Sequence, residues 1–219
     1  MERLMGRLAA FLCILVLPVL PAPPILAEAS TRPGDTYYPL GKGYKWIYNT
    51  DYSDDTELIH EVTASEKVGD TECFVVEHKT VSPTLGTRLM RKEWLAAAAD
   101  GVMIHKLQRG RSELEVAVPF PKVKTTLRKD DEWKGETKAS ENPPQYAIRV
   151  EEEVDLEVPA GKFKAWKVHV KIESGSRHSA EGTEWYAKNV GLVKSEITIR
   201  AAGEDFTLVS ELKKFVDGK

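Results

Sequence analysis

The chain is poor in cysteine, in long apolar runs and in any excess of one charge, and each shortage removes a class of explanation. Its 219 residues contain two cysteines, Cys13 and Cys73. Cys13 lies in an N-terminal apolar run, so Cys73 is the one thiol left to a folded domain and no intrachain disulfide is available. Basic and acidic residues number 31 and 34, scattered in both signs to a net charge of −3, which leaves no basic footprint for nucleic acid. Motifs of enzymes are also missing: there is no G-x-S-x-G elbow, no P-loop and no dinucleotide glycine fingerprint. The histidines at 60, 78, 105, 169 and 178 lack H-x-H or H-E-x-x-H spacing. Strand pairing could still bring His78 and His169 together, but no metal, cofactor or catalytic residue is expected.

The first residues have a three-part layout. Arg3 and Arg7 precede an apolar run from Leu8 to Leu20, and a Pro-rich stretch then leads to Ala27-Glu28-Ala29. This is the pattern of a secretory signal peptide over residues 1–29, cut before Ser30. The run is shorter than the roughly 20 residues that span a bilayer, and Pro18 interrupts it, so no stable membrane span is expected after cleavage. The expectation is an exported protein, periplasmic or extracellular and soluble, with residues 30–219 forming a single β domain.

Beyond Tyr37 the chain is a succession of short runs rich in Val, Ile, Thr and aromatics, alternating with period two and broken by Gly, Pro, Asp and Asn. Examples are "LIHEVTAS" from Leu58, "ECFVVEHKTV" from Glu72, "FKAWKVHVKI" from Phe163 and "DFTLVSELKKF" from Asp205. The connections are too short for crossover helices, so the strands are expected to be antiparallel. The fold class is therefore mainly β, a curved antiparallel sheet or half-barrel with little helix. One helical candidate, "EWLAAAADG" from Glu93, carries helix-favouring alanines but could equally be a bulged turn. At Pro159-Ala160-Gly161-Lys162 a hairpin is expected with its turn centred on Gly161. That register puts Asp155 opposite Lys167, Glu153 opposite His169 and Glu151 opposite Lys171. Leu156 then faces Trp166, Val154 faces Val168 and Val150 faces Ile172, and the acidic run from Glu151 reads as a solvated strand face.

Phrases also recur. Leu40, Lys42 and Trp46 return as Leu127, Lys129 and Trp133, Phe74 and Val76 as Trp166 and Val168, Glu93-Trp94 as Glu184-Trp185, and Gly101 as Gly191. The order is kept and the offset is nearly constant, so two related β units are expected, about 37–112 and 119–200, with an extra strand at 205–215. The recurring tryptophans read first as core. Cys73, flanked by Phe74-Val75-Val76, reads as a buried structural thiol.

With "YYPLGKGYKWIY" near the mature start, "VPAGKF" at a hairpin and "EWYAKNVGLVK" after it, the chain resembles exported bacterial proteins of unknown function related to the pilus-associated TapB group. Such proteins are similar in architecture to the curved sheets of the lipoprotein carriers LolA and LolB. With the signal peptide, the recurring strand units, the alternating strands and the missing catalytic motifs, the expectation is a noncatalytic binding protein whose curved face takes an apolar or lipidated ligand or an envelope partner. Candidate face residues are Trp166, Val168, Val170, Leu156, Val154, Phe74 and Val76. The alternative is an assembly module of a surface or pilus complex acting through sheet edges, with the last strand as docking strand.

Overall fold

The computed structural model describes residues 36–218 apart from 52–54, 111, 139–142, 176–177 and 202. The signal peptide reading falls outside these residues. Twelve strands follow one another: β1 Tyr44–Thr50, β2 Glu57–Val68, β3 Thr71–Ser82, β4 Gly86–Ala98, β5 Gly101–Arg109, β6 Ser112–Lys124, β7 Glu132–Glu136, β8 Gln145–Val158, β9 Gly161–Ser174, β10 His178–Ala187, β11 Gly191–Ala201 and β12 Glu204–Asp217. No helix occurs among the described residues. "EWLAAAADG" ends β4, where pairing to both β3 and β5 outweighs the helix preference of alanine, with a bulge at Trp94/Leu95 on the β5 side.

All ladders are antiparallel, and the sheet order is β6-β5-β4-β3-β2-β1-β12-β11-β10-β9-β8-β7. The sheet curls until its two end strands meet at an isolated bridge between Val116 and Thr137, giving a nearly closed barrel. Backbone contributes little else to this seam beyond the Lys138 amide donating to the Glu115 carbonyl at 2.6 Å. Side chains supply the rest. The Trp133 indole donates to the Pro121 carbonyl at 2.6 Å, and the Phe120 and Tyr146 rings lie 5.1 Å apart. A Cβ on Gly135 would come within 2.3 Å of the Phe120 ring, so β7 approaches β6 only because that position lacks a side chain. The β1–β12 ladder, in contrast, holds seven residue pairs from Tyr44↔Asp217 to Thr50↔Ser210.

The β8–β9 hairpin corrects the expected register. Val158 pairs with Gly161, so the loop is Pro159-Ala160 and Gly161, at φ 132°, opens β9. Pro159 occupies the second turn position, where its fixed φ is already suitable, which draws the turn toward the N-terminal side. Asp155 consequently faces Lys164, Leu156 faces Phe163 and Val154 faces Ala165. A bulge between Val150 and Glu153 then restores Val150 to the face of Val168. The acidic run sits at this bulge, with Glu151 3.3 Å from Lys167 and Glu153 3.6 Å from Lys164. The hairpin tip reaches β12, which is not its sheet neighbour, through the Ala160 amide donating to the Leu212 carbonyl at 2.8 Å.

The core fills one end of the barrel. Trp46, wholly buried, stacks on Tyr38 at 5.0 Å and on Phe215 at 5.3 Å, and its indole donates to the Val190 carbonyl. Leu40, Leu127, Val193 and Leu212 belong to the same cluster. A second, small cluster on the outer face holds Cys73, Val75, Trp94 and Ala96. Cys73 is buried there, and burial followed by the nearby Glu72 pushes its thiol up to about 11.

Candidate functional site

Strand alternation puts His60 in phase with the buried Val62, and His78 in phase with the buried Val76. Register then pairs Val62 with Val76 and His60 with His78 across β2 and β3. The imidazoles face inward with ring centroids 3.9 Å apart, and Tyr48 lies 4.8 Å from His60. On β4, Arg91 is the partner of His78 and Glu93 is the partner of Val76, so both also face inward. Glu93 binds three cationic or potentially cationic groups: Lys122 at 2.9 Å, His78 at 3.3 Å and Arg91 at 3.3 Å.

Burial alone would push the Glu93 carboxyl up, but Lys122, Arg91 and His78 together hold it well below its ordinary value. Burial, assisted by Arg91, brings His78 down to about 4. His60 is depressed as well, by burial and then by His78 and Arg91. Both imidazoles are thus neutral at neutral pH, beside an ionised carboxylate. Their Nδ1 atoms and the Tyr38 hydroxyl have no hydrogen-bond partner among the described residues. Tyr38 is held above its usual range by burial and then by Glu93. Glu184 on β10 accepts from the Tyr186 hydroxyl at 2.6 Å. No group of three or more His, Cys, Asp or Glu suited to a metal ion occurs among the described residues.

Toward the turn between β3 and β4 the interior opens. Arg91 keeps 41% of its side chain accessible although its neighbours Glu93 and His78 are each 3% exposed. Across from Arg91 on β5 stands Arg109, its direct register partner, and Arg88 pairs with the inward position Thr80. The facing wall is different in kind. Ser210 and Leu212 mark the inner face of β12, which places Leu208 inward with Ile197 and Ile199 of β11. Ile172 and Val170 continue that face on β9, opposite Ala180 and Gly182 of β10. These side chains are only partly buried, so this accessible end of the inner face, the cup, carries an apolar wall and a cationic wall over a polar floor.

Of the residues singled out from sequence, Val76 and Val168 are fully buried below this cup. Phe74, Trp166, Val154, Leu156 and Val170 are partly buried and pack against the same core. His78 and His169 are not neighbours: His169 bonds Glu181 at 3.1 Å on the outer face. The polar floor was missed because its members come from β2, β3, β4 and β6. A readable signal existed, since each of His60 and His78 stands two positions from a core valine.

Comparison with known proteins gives limited context. The DUF3108-like family model matches residues 134–198, a stretch that contains both the "VPAGKF" and "EWYAKNVGLVK" phrases. No curated protein matches the chain. Among solved structures, a lipoprotein candidate from Parabacteroides distasonis is similar at 16% identity and a TM-score of 0.45, over 83% of this chain and 99% of that one. An exported-protein candidate with a YmcC-like fold from Bacteroides fragilis aligns at 14% identity and a TM-score of 0.45, covering 84% of this chain and 100% of that one.

Proposed function

We propose that the chain is an exported, noncatalytic binding protein that holds an apolar or lipidated ligand inside its barrel. The observation that carries this reading is the accessible apolar wall of Ile172, Ile197, Ile199 and Leu208, which lies inside the barrel yet is left unfilled by the core. A noncatalytic role is favoured because neither interior imidazole is hydrogen-bonded to a hydroxyl or thiol among the described residues. The proposed export rests on the three-part N-terminus. The repeated phrases fall on β1 and β7, β3 and β9, β4 and β10, and the starts of β5 and β11, six strands apart each time, so we read the two halves as a duplication. On that reading β12, the strand expected at 205–215, answers to β6.

Native mass spectrometry of protein purified from its own envelope tests the reading. A copurifying lipid that is lost on Ile197→Asn is expected. No bound lipid, together with no fluorescence change on adding an apolar probe, removes the ligand reading.

A second reading, assembly through a sheet edge, is favoured by one observation: the backbone of β6 joins the far side of the sheet at a single bridge, and Val118 on it is 71% exposed. The docking strand would then be β6, because β12 lies between β1 and β11 and closes the sheet. Pro119 and Pro121 blunt this edge, which weighs against it. Val118→Lys abolishing a partner contact while leaving lipid binding intact would favour assembly.

A further inference from the structure

The ligand's chemistry can be specified further from the wall opposite the apolar one. Arg91 and Arg109 are direct cross-strand partners on the inner face, and like charges so placed oppose each other. Arg91 is partly neutralised by Glu93 at 3.3 Å, and Arg109 has no ion pair among the described residues, although its charge acts on the inward Tyr146. Arg88 lies further toward the rim on the same strand as Arg91, also without an ion pair among the described residues. The structure keeps this repulsion facing an accessible space. Ordinarily such guanidinium groups would be turned to bulk solvent or paired with carboxylates, as Lys79 and Lys92 are with Glu77 on the outer face. Across the cup stand Val170, Ile172, Ile197, Ile199 and Leu208.

We infer that the cup binds an amphiphile with a single anionic head group, its head between Arg91 and Arg109 and its alkyl chain against β9, β11 and β12. Planar guanidinium groups suit a carboxylate or phosphate, which offers several acceptor oxygens to neighbouring forks. Glu93 acts here as a positioning residue: it fixes Arg91 from below and, by holding Lys122 and meeting His78, keeps the floor from competing for the head group. Below the head, the close-packed Val76 and Val168 leave no room for the chain, which must therefore run up the apolar wall toward the mouth. The inference rests on the binding reading above, whose loss would remove it.

The test uses residues 30–219 and four ligands of equal chain length: dodecanoate, dodecyl phosphate, dodecanol and dodecylamine, each titrated by displacement of a neutral polarity-sensitive dye. Dodecanoate or dodecyl phosphate should bind about tenfold more tightly than dodecanol, as expected of one charge-assisted contact, and the preference should shrink with added salt. Arg109→Gln should remove most of that preference while leaving dodecanol affinity within about twofold; Arg88→Gln, nearer the rim, serves if the first variant does not fold. Equal affinity for the anionic ligands and dodecanol, or preference for dodecylamine, overturns this inference and leaves the binding reading standing. Absence of binding by all four overturns both.

Discussion

The halves β1–β6 and β7–β12 place related phrases at related positions and then use them differently. Glu93-Trp94 on β4 and Glu184-Trp185 on β10 both put the carboxylate inside and the indole outside. Glu93 is 3% exposed and ringed by Lys122, Arg91 and His78, whereas Glu184 accepts one hydrogen bond from Tyr186. Glu93 pairs with Val76 and Leu107 and has His78, Arg91 and Arg109 as the next in-phase positions, while Glu184 pairs with Val168 and Ser195 and is followed by Gly182, Ala180 and the isoleucines of β11. Two walls of one barrel thus differ, one charged and the other apolar. Strand alternation fixes where inward positions fall and leaves open what occupies them.

The sharpest way to break this contrast is Glu93→Ala, which strands two cations beside a buried imidazole. A loss of about 3–5 kcal/mol is expected in urea denaturation, in line with the removal of one partner from a buried ion network. Gly135→Val should come next, at roughly 2–3 kcal/mol, because the new side chain must displace Phe120 and open the β6–β7 seam. Glu184→Gln, the counterpart substitution in the apolar half, should cost about 1 kcal/mol, since the amide can still accept from Tyr186; a cost equal to that of Glu93→Ala would refute the asymmetry.

Acid should expose the same contrast without mutation. His78 binds its proton near 4 in the folded chain against 6.5 when free, and His60 shifts the same way. The unfolded state therefore holds more protons between those values, so stability falls as pH drops from about 6.5 toward 4. Glu93, held low when folded, adds loss in the same direction below about 4.5. A melting temperature that falls over this window in wild type, with a shallower slope in His78→Gln, is expected; a flat profile contradicts neutral interior imidazoles. The smallest effect is kinetic: amides of β7 should exchange faster than those of β1, because one bridge holds the first seam and a seven-pair ladder the second.

Strand content and the buried tryptophans were legible because period-two alternation is local. Trp46, Trp94, Trp133 and Trp185 are indeed buried, and Trp166 is partly so. The hairpin at Gly161 was legible in place but not in register, since a bulge at Glu151-Glu152 and a turn drawn to Pro159 are decided by packing of the finished sheet. "EWLAAAADG" misled because propensity is a weak prior when a strand has neighbours on both sides. The charged wall was hidden for a different reason. Arg91 and Arg109 are eighteen residues apart in sequence, and only the β4–β5 register makes them opposite. Reading each polar residue by its phase relative to a nearby valine would have nominated His60 and His78.

The ladder between β1 and β12 has one further consequence. Every other ladder joins strands that follow each other in sequence, so it can form as a local hairpin while the rest of the chain is unfolded. Joining Tyr44 to Asp217 requires closing a loop that spans nearly the whole domain, and its entropy must be met before that ladder returns any stability. Folding should therefore zip two meanders quickly and wait on a single slow circularisation. Until the last strand is free to pair, the chain would be a string of hairpins with an unclosed edge on β1.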